Sequence, residues 1–365
     1  IMSSFFKSSE TSSINGTKSR NNTTYISSGI PSLDHIIGKF IIKEDVLNNY
    51  CRVMSKYFLA EAVVCKHKIL IATLDENPRD ILKELPEPCK AAPEDEAPSA
   101  PLIEDVNKMK IAWRYEGLGQ VESSFGQNAI FGHHFDLSKH INTENINTSD
   151  LNYWNGDNKL QSHVGFQNHN YLNLLQRIKE LCSKEEHQIT FKGKQNILCI
   201  SITSLGSPLW MAVDCDQDSD PRKYGQDLLQ FMFCLRTIVK GTNAVVFVTV
   251  PTHLFEEESI IKRLQYSVDN AVKLESFAGS SRETNPVFKD YNGLFHVTKL
   301  SAVNCMVPFV PPSLDLAFKL RRKKFIIEKL HLPPELGETS EREQDDIISS
   351  PMMACGGFKK KDIDF

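Results

Sequence analysis

The sequence predicts an α/β fold in which a mostly parallel sheet is flanked by helices and finished by antiparallel edge strands. A strand, helix, strand succession spans residues 40–72, which is typical of a parallel sheet. A near-continuous apolar run at 244–250 fits a strand buried on both faces of such a sheet. Segments 271–277 and 294–300 alternate apolar and polar residues, as half-buried antiparallel strands do.

The composition is that of an ordinary soluble globular protein. Of 365 residues, 41% are hydrophobic and 24% are charged, which provides enough apolar material for a sizeable core. The formal net charge of -4 gives no overall attraction to nucleic acid, so any RNA contact must come from local basic patches. The N-terminal residues lack the apolar region of a secretory signal, and no later stretch approaches the ~20 apolar residues of a membrane span.

The nine cysteines predict no metal site, because they include no C-x-x-C pair and no paired histidine spacing accompanies them. Several lie in apolar runs, such as Cys199 within Ile-Leu-Cys-Ile. Reduced, partly buried thiols in a protein of the cytosol or nucleus are the interpretation that fits this usage.

Composition shifts along the chain predict one domain with two tails. Residues 1–24 are rich in Ser, Thr and Asn and are predicted to be disordered, and 25–335 form the domain. Mobile loops are expected near 86–107, 116–130 and 140–162, where Pro, Gly, Ser, Asn or acidic residues are dense. Residues 336–365 are charged and contain glycine, which predicts a flexible C-terminal tail.

The first half of the domain predicts the opening elements of the sheet. A short strand at 25–26 precedes a helix that begins at Pro31, whose missing N–H suits a first helical turn. A strand at 40–42 leads into a helix with Asp45 as N-cap, and 68–72 reads as a buried strand.

The second half is more regular in its apolar periodicity. It predicts a helix at 170–182, a strand at 196–202, a helix from Pro221 to about Gly241, the strand at 244–250, a helix at 259–266, the two alternating strands, and one last strand within 316–330.

These elements resemble a RecA-type core, in which the loop after the first core strand holds a triphosphate. That loop requires G-x-x-x-x-G-K-[ST], because glycine amides must approach the phosphates and a lysine must neutralise them. The corresponding stretch from Gly38 reads GKFIIKEDVLNN and lacks the second glycine and the Gly-Lys-Ser/Thr triplet. Glu44 and Asp45 would repel a nucleotide there.

A magnesium ligand is also missing from its expected place. The apolar strand at 197–202 should end in Asp, and it continues instead into Thr203-Ser204-Leu205-Gly206. The sequence therefore predicts a chain that does not hydrolyse ATP and uses no cofactor. The alternative is a KaiC/RecA-like ATPase with an unorthodox pocket in the degenerate nucleotide-site region, which comprises Gly29, Pro31, Asp34 and Gly38.

Other chemistry-bearing residues favour binding over catalysis. Ser207 is not in a G-x-S-x-G elbow, and the adjacent His133 and His134 cannot share one helix face as a metal pair. His133, Phe135 and the run Trp113, Arg114 and Tyr115 are predicted to lie at a subunit interface, although such aromatic and Arg residues also stack on RNA bases.

Two basic elements are candidates for contact with RNA phosphates. The run Arg321, Arg322, Lys323 and Lys324 is the most concentrated positive patch, with a solvated strand edge as the alternative. Arg282, in the loop GSSRETNP, could reach a neighbouring subunit or a nucleic acid, or belong to an ordinary hairpin loop.

Several longer stretches together resemble the Elongator complex protein 4 family. They are S-S-G-I-P-S-L-D-H-I-I-G at 27–38, MKIAWRY at 109–115, FGHHFDLSK at 131–139, SLGSPLW at 204–210, VPTHLF at 250–255, ESFAGSSRETNPVFKDYNGLFHV at 275–297 and LAFKLRRKKFIIEKLHLPPEL at 316–336. These stretches span most of the predicted domain.

The resemblance implies a RecA-like, non-catalytic subunit that forms a hetero-hexameric ring with Elongator proteins 5 and 6. It implies membership of the Elongator complex, whose separate catalytic and scaffold subunits are then further partners. It also implies tRNA binding in support of carboxymethyl-type modification of the wobble uridine U34, a role in transcription elongation, and a cytoplasmic and nuclear location. Relative to the family pattern, the segment between Gly38 and Glu44 is short by about ten residues, the length of a strand with its turn.

Overall fold

The computed structural model describes residues 14–20, 23–34, 41–43, 46–89, 132–142, 150–156, 165–166, 168–211, 221–300 and 313–330. Residues 1–329 form one unit and 330–365 form a second. The sequence predicts the end of the domain at 335, whereas the structure divides the chain after Lys329. The account below concerns the first unit.

The strands are β1 (Thr17–Arg20), β2 (Thr23–Ile26), β3 (Ile41–Lys43), β4 (Lys68–Ala72), β5 (Pro86–Pro88), β6 (Phe135–His140), β7 (Leu151–Trp154), β8 (Leu198–Ile202), β9 (Ala244–Val250), β10 (Ala271–Ser276), β11 (Gly293–Lys299), β12 (Leu316–Leu320) and β13 (Phe325–Lys329). The helices are α1 (Pro31–Asp34), α2 (Asn49–Val64), α3 (Pro78–Lys83), α4 (His169–Cys182), α5 (Pro221–Val239) and α6 (Glu258–Tyr266).

Among the described residues, nine strands form one sheet in the order β13-β12-β11-β10-β3-β9-β8-β4-β7. The neighbours from β10 through β7 pair in parallel. From β10 through β13 they pair antiparallel. The predicted α/β architecture, with a mostly parallel sheet and antiparallel edge strands, is therefore confirmed.

Helices cover the two faces of the sheet separately. One apolar cluster joins α1, α2 and α3 to the first face, with Leu33, Phe58 and Ile81 among its members. The second cluster joins α4, α5 and α6 to the opposite face. Strand β8 is buried along its whole length because it lies between both helical layers. No helix among the described residues is long and apolar enough to span a bilayer.

Local sequence explains several helix starts. The Asn77 side chain accepts a hydrogen bond from Arg79 N at 3.0 Å, and Pro78 occupies the first helical turn of α3. Helix α5 begins at Pro221, as predicted. Helix α2 begins at Asn49, later than the predicted cap at Asp45, which is outside the described residues.

Two segments predicted to be mobile loops contribute strands. Leu151–Trp154, within 140–162, forms β7 and pairs in parallel with β4. Its Trp154 is buried, stacks on Trp210 with ring centroids 5.2 Å apart, and donates from Nε1 to Asn173 Oδ1 at 2.7 Å. Pro86–Pro88, within 86–107, forms β5 and pairs with β6. Long-range pairing orders Leu151–Trp154 and Pro86–Pro88, and the burial of Trp154 adds to it in the first of these strands. Residues 116–130 are outside the described residues.

Part of the N-terminal segment also differs from its prediction. Residues 1–24 are predicted to be disordered, yet Thr17–Arg20 pairs antiparallel with Thr23–Ile26. His67 Nε2 lies 2.8 Å from Asn15 O and connects this hairpin to the region after α2. The contact supplies stabilisation that the local composition does not reveal.

The last predicted strand is two strands. β12 and β13 form a hairpin in which Leu320 pairs with Phe325, and the basic residues 321–324 form its turn. Arg321 N donates to Lys324 O at 2.9 Å across this turn.

Candidate functional site

The carboxyl ends of the parallel strands form the edge at which α/β sheets usually bind ligands. In this chain that edge follows Lys43 of β3, Ala72 of β4, Ile202 of β8 and Val250 of β9. We refer to it as the carboxyl edge. The loop from β3 to α2 would be the phosphate loop of an active nucleotide site.

A direct side-chain bridge crosses the carboxyl edge. Asn48, the residue before α2, donates from Nδ2 to Ser204 Oγ at 2.9 Å. Both residues have left-handed backbones, with φ of 54° and 47°. Ser204 N in turn donates to Thr249 Oγ1 at 2.8 Å. The loops that follow β3 and β8 are thus held to each other and to the end of β9 by protein groups.

The carboxyl edge is rich in hydroxyl groups where β8 ends. Thr203 and Ser204 follow β8, so the position of the predicted magnesium ligand carries no carboxylate. A carboxylate does follow β4: Asp75 Oδ1 is buried and makes no hydrogen bond within the described residues. Sequence reasoning missed Asp75, although its place shortly after a buried strand was visible.

The same edge exposes several large apolar side chains. We name this set the carboxyl-edge surface, and it consists of Val46, Leu47, Leu209, Met211 and Leu254. These residues lie in the loops after β3, β8 and β9. Exposed apolar groups brought together from separate loops are typical of protein contact surfaces.

The degenerate nucleotide-site region lies away from the carboxyl edge. A Cβ added to Gly29 would come 3.3 Å from Glu61 Cβ, near the end of α2. At about 1.5 Å per residue, α2 carries Glu61 about 18 Å along its axis from Asn49. The region around Gly29, Pro31 and Asp34 is therefore not part of the carboxyl edge. Gly38 is outside the described residues.

Asp34 is held by the serines of the same motif. Its carboxylate accepts hydrogen bonds from Ser27 Oγ at 2.5 Å, from Ser28 N at 2.6 Å and from Ser28 Oγ at 2.6 Å. Burial raises the pKa of Asp34 to about 7, which outweighs the lowering by the serine hydrogen bonds. The motif at 27–34 therefore forms a compact, self-bonded turn.

Glu61 joins α2 to the segment that precedes β6. Its Oε2 accepts from His133 N at 3.1 Å, and its Oε1 lies 3.0 Å from His133 Nδ1. Gly132 faces Ser27, where an added Cβ would come 2.1 Å from Oγ. The structure thus brings the motif at 27–34 and the G-H-H-F stretch together at Glu61, a residue that the sequence did not single out.

The residues predicted to lie at a subunit interface differ in their exposure. The His133 side chain is 46% exposed. Phe135 is buried and packs edge-to-face on Tyr57 with centroids 5.9 Å apart, so its prediction as an interface residue is wrong in this chain. Trp113, Arg114 and Tyr115 are outside the described residues.

The basic turn is exposed and connected to β6. Arg321, Arg322 and Lys323 are exposed, and Lys324 is partly exposed. Leu137 N donates to Lys323 O at 2.8 Å, which places exposed Lys139 of the same strand close to the turn. We name Lys139 and Arg321 to Lys324 the basic turn surface.

Arg282 is engaged within the chain. Its Nη1 donates to Glu275 Oε1 at 2.9 Å, and its guanidinium lies 6.0 Å from the centre of the Phe277 ring. Lys273 and His296 also contact Glu275, at 3.3 Å and 3.1 Å. Burial acts to raise the pKa of Glu275, but Lys273 and His296 prevail and the pKa is lowered.

Comparison with known proteins places this arrangement in a family. The family model described as PAXNEB protein matches residues 10–365. The chain belongs to the PAXNEB family. Proteins named Elongator complex protein 4 are also similar to this PAXNEB chain, at 36% identity in Homo sapiens and 35% in Danio rerio. Those alignments cover 97% and 92% of the chain and 89% and 87% of the relatives.

Identity at this level over most of both chains makes this PAXNEB chain a member of the Elongator complex protein 4 family. A Drosophila melanogaster protein of the same name is 32% identical, over 95% of this chain and 97% of that relative. Among solved structures, a KaiC-like protein from Pyrococcus horikoshii OT3 matches with a TM-score of 0.41 and 13% identity, over 83% of this chain and 98% of that one.

Proposed function

We propose that this chain is a non-catalytic subunit of the Elongator complex. In this proposal it forms a hetero-hexameric ring with Elongator proteins 5 and 6, binds tRNA, and supports carboxymethyl-type modification of U34. The name of the relatives supports membership of a complex. The ring partners, the RNA and the cytoplasmic and nuclear location follow from the family resemblance of the sequence.

The Asn48–Ser204 bridge is the observation that carries the non-catalytic part. It spans the loops that would hold triphosphate and metal, at a donor–acceptor distance of 2.9 Å. Thr203 and Ser204 offer neutral hydroxyls where a hard cation would need an anionic oxygen. A nucleotide bound between the loops after β3 and β8 would have to break this bridge. Its metal ion would also find no carboxylate ligand at the end of β8.

The carboxyl-edge surface supports assembly. Leu209 is 58% exposed and Leu47 is 61% exposed, and both stand beside the bridge loops. Apolar area of this kind gains about 25 cal/mol per Å² when a partner removes it from water. A neighbouring subunit that covers the carboxyl edge would occupy the place where an active nucleotide site would hold its ligand.

The basic turn surface supports RNA contact. Because the whole chain has a net charge of -4, attraction to phosphates must come from a local cluster of cations. Arg321, Arg322, Lys323 and Lys139 form such a cluster on one exposed hairpin turn and its neighbouring strand.

The deciding experiment is co-expression of the full chain with Elongator proteins 5 and 6. Size-exclusion chromatography with light scattering would report the mass of the assembly, and a tRNA titration would report binding. We expect one heteromeric species that binds tRNA and whose ATPase rate is unchanged when this chain alone is varied at Asn48. A monomer that ignores both partners would contradict the proposal.

Nucleotide binding at the carboxyl edge is a second candidate, favoured by Asp75 alone. Its buried Oδ1 makes no hydrogen bond within the described residues and lies in the loop after β4. Thermal unfolding of the isolated chain with and without Mg-ATP tests it, since a ligand that binds only the folded state raises the melting temperature. A rise that disappears in Asp75→Asn would favour this candidate over the non-catalytic one.

A further inference from the structure

Three metal-ligating side chains converge at the far end of α2. Glu61 on this helix and Cys65 at its C-terminal cap are four residues apart, so both project from one face. His133 approaches from the segment before β6. One donor atom from each residue lies within 4.8 Å of the other two.

The cluster is buried on one side and open on the other. Glu61 has only 4% of its side chain exposed, and Cys65 is buried. His133, at 46% exposure, provides the access from solvent. The site is about 18 Å along α2 from the carboxyl edge, so it is separate from the proposed assembly surface.

We propose that Glu61, Cys65 and His133 bind a divalent transition-metal ion, with zinc as the best fit. Zinc in proteins is bound by thiolate, imidazole and carboxylate, and this cluster offers one of each. Calcium and magnesium prefer oxygen ligands, which makes a set with sulfur and nitrogen unsuitable for them.

Two of the three donor separations are close to those of tetrahedral coordination. With Zn–S of about 2.3 Å and Zn–O and Zn–N of about 2.0 Å, tetrahedral angles place S and O about 3.5 Å apart and N and O about 3.3 Å apart. The structure has 3.5 Å between Cys65 Sγ and Glu61 Oε1. It has 3.0 Å between His133 Nδ1 and Glu61 Oε1. Both separations are within a few tenths of an ångström of the tetrahedral values, and the donor atoms of all three residues lie within 4.8 Å of one another.

On binding, the ion replaces the contacts that Cys65 Sγ and His133 Nδ1 make with Glu61 Oε1. Before metal arrives, the Cys65 thiol donates its proton in a hydrogen bond to Glu61 Oε1. That proton passes to solvent as the Zn–S bond forms. The proton with which His133 Nδ1 faces Glu61 Oε1 moves through solvent to Nε2 as Nδ1 binds the ion, and Glu61 Oε2 keeps the bond from His133 N. Water completes the fourth position.

Cobalt(II) and zinc titrations of the full chain test the proposal. Cobalt bound by a thiolate gives a ligand-to-metal charge-transfer absorption that other cobalt sites lack. We expect one equivalent to bind with this absorption, one proton to be released, and zinc to displace the cobalt. Cys65→Ala should abolish the absorption, and His133→Gln should weaken affinity at least about tenfold.

Cys234→Ala is the matched control, because Cys234 is a partly exposed cysteine on α5 and should leave metal binding unchanged. Circular dichroism would verify folding of each variant. Should Cys65→Ala fail to fold, the half-exposed His133→Gln still decides the question. Sub-stoichiometric binding, or binding that neither Cys65→Ala nor His133→Gln alters, would overturn the proposal.

Discussion

The hydroxyl of Tyr57 accepts a hydrogen bond from the backbone nitrogen of Phe325 at 3.1 Å. Phe325 begins β13, which is the outermost strand of the sheet. Ser32 Oγ accepts from Ile327 N of the same strand at 3.3 Å. Helices α1 and α2 thereby satisfy edge N–H groups that an open strand would present to other chains.

Replacement of Tyr57 by Phe should destabilise the chain by about 1–3 kcal/mol, because Phe325 N–H would be left buried without a partner. The ring packing of Tyr57 against Phe135 is kept in this variant. Chemical denaturation of the full chain measures the effect. Tyr266→Phe, at a side chain 75% exposed, is the control and should change the free energy of unfolding by less than about 0.5 kcal/mol.

Glycine at position 29 is required by both its backbone and its neighbours. Its φ is +79°, and an added Cβ would come 2.4 Å from Tyr57 O on α2. We expect Gly29→Ala to cost at least about 3 kcal/mol, from left-handed strain and displacement of the helix backbone. A melting-temperature or denaturation series would show this.

Gly279 offers a matched comparison because its φ of +75° is similar while nothing lies within 4 Å of its added Cβ. Gly279→Ala should therefore cost only the backbone strain, about 1–2 kcal/mol. Equal losses in the two variants would show that contact between Gly29 and α2 is unimportant.

The sequence predicted the elements whose information is local. Strand β4 and strand β9 were confirmed at their predicted bounds, because continuous apolar runs between polar residues define them. Strand β7 was missed, because Leu-Asn-Tyr-Trp becomes a strand by pairing with β4 and by the stacking of Trp154 on Trp210. Neither partner is near it in sequence.

The candidate sites show the same contrast between features that local sequence determines and features that long-range contacts determine. The absence of phosphate-loop glycines was readable directly, and the hydroxyls after β8 lie where the sequence indicated. The Glu61 cluster was not predictable from cysteine spacing, because its ligands come from α2 and from a segment 72 residues away. The available signal was a single carboxylate within the apolar helical stretch Leu-Ala-Glu-Ala-Val.

The pH dependence of stability should reveal Asp34. Its pKa in the folded chain is about 7, raised from 3.8 mainly by burial, with a contribution from Glu61. A raised carboxyl pKa gives stability that is present at low pH and is lost as the pH rises toward the folded pKa.

A comparison of the wild type with Asp34→Asn, whose amide cannot ionise, would measure this pH dependence. The free energy of unfolding of wild type minus that of the variant should fall by on the order of 2 kcal/mol between pH 5 and pH 8. The other ionisable groups are the same in both proteins, so their contributions largely cancel in the difference. A difference that stays flat, or that grows with pH, would mean that the serine hydrogen bonds outweigh burial.

The assembly proposal predicts an asymmetry between two equally exposed apolar residues. Leu209 belongs to the carboxyl-edge surface and Ile189 lies before β8, and each is 58% exposed. Leu209→Asp should weaken assembly with Elongator proteins 5 and 6 by at least about tenfold, since a charge would be buried in the contact. Ile189→Asp should assemble normally. Analytical ultracentrifugation across a concentration series would separate the two, and equal behaviour would exclude the carboxyl edge as the contact.

The RNA proposal predicts a change in salt dependence as well as affinity. Arg321→Glu combined with Arg322→Glu removes two cations from the exposed turn and should weaken tRNA binding by the assembled ring at every salt concentration. The slope of log affinity against log salt should become shallower by about one to two, because fewer phosphates are neutralised and fewer counterions are released. Lys192→Glu with Lys194→Glu, on another exposed loop, applies the same charge change elsewhere. If both double variants reduce the slope equally, the ring attracts tRNA through its overall charge. If only the Arg321→Glu and Arg322→Glu variant reduces it, the phosphate contact belongs to the basic turn surface.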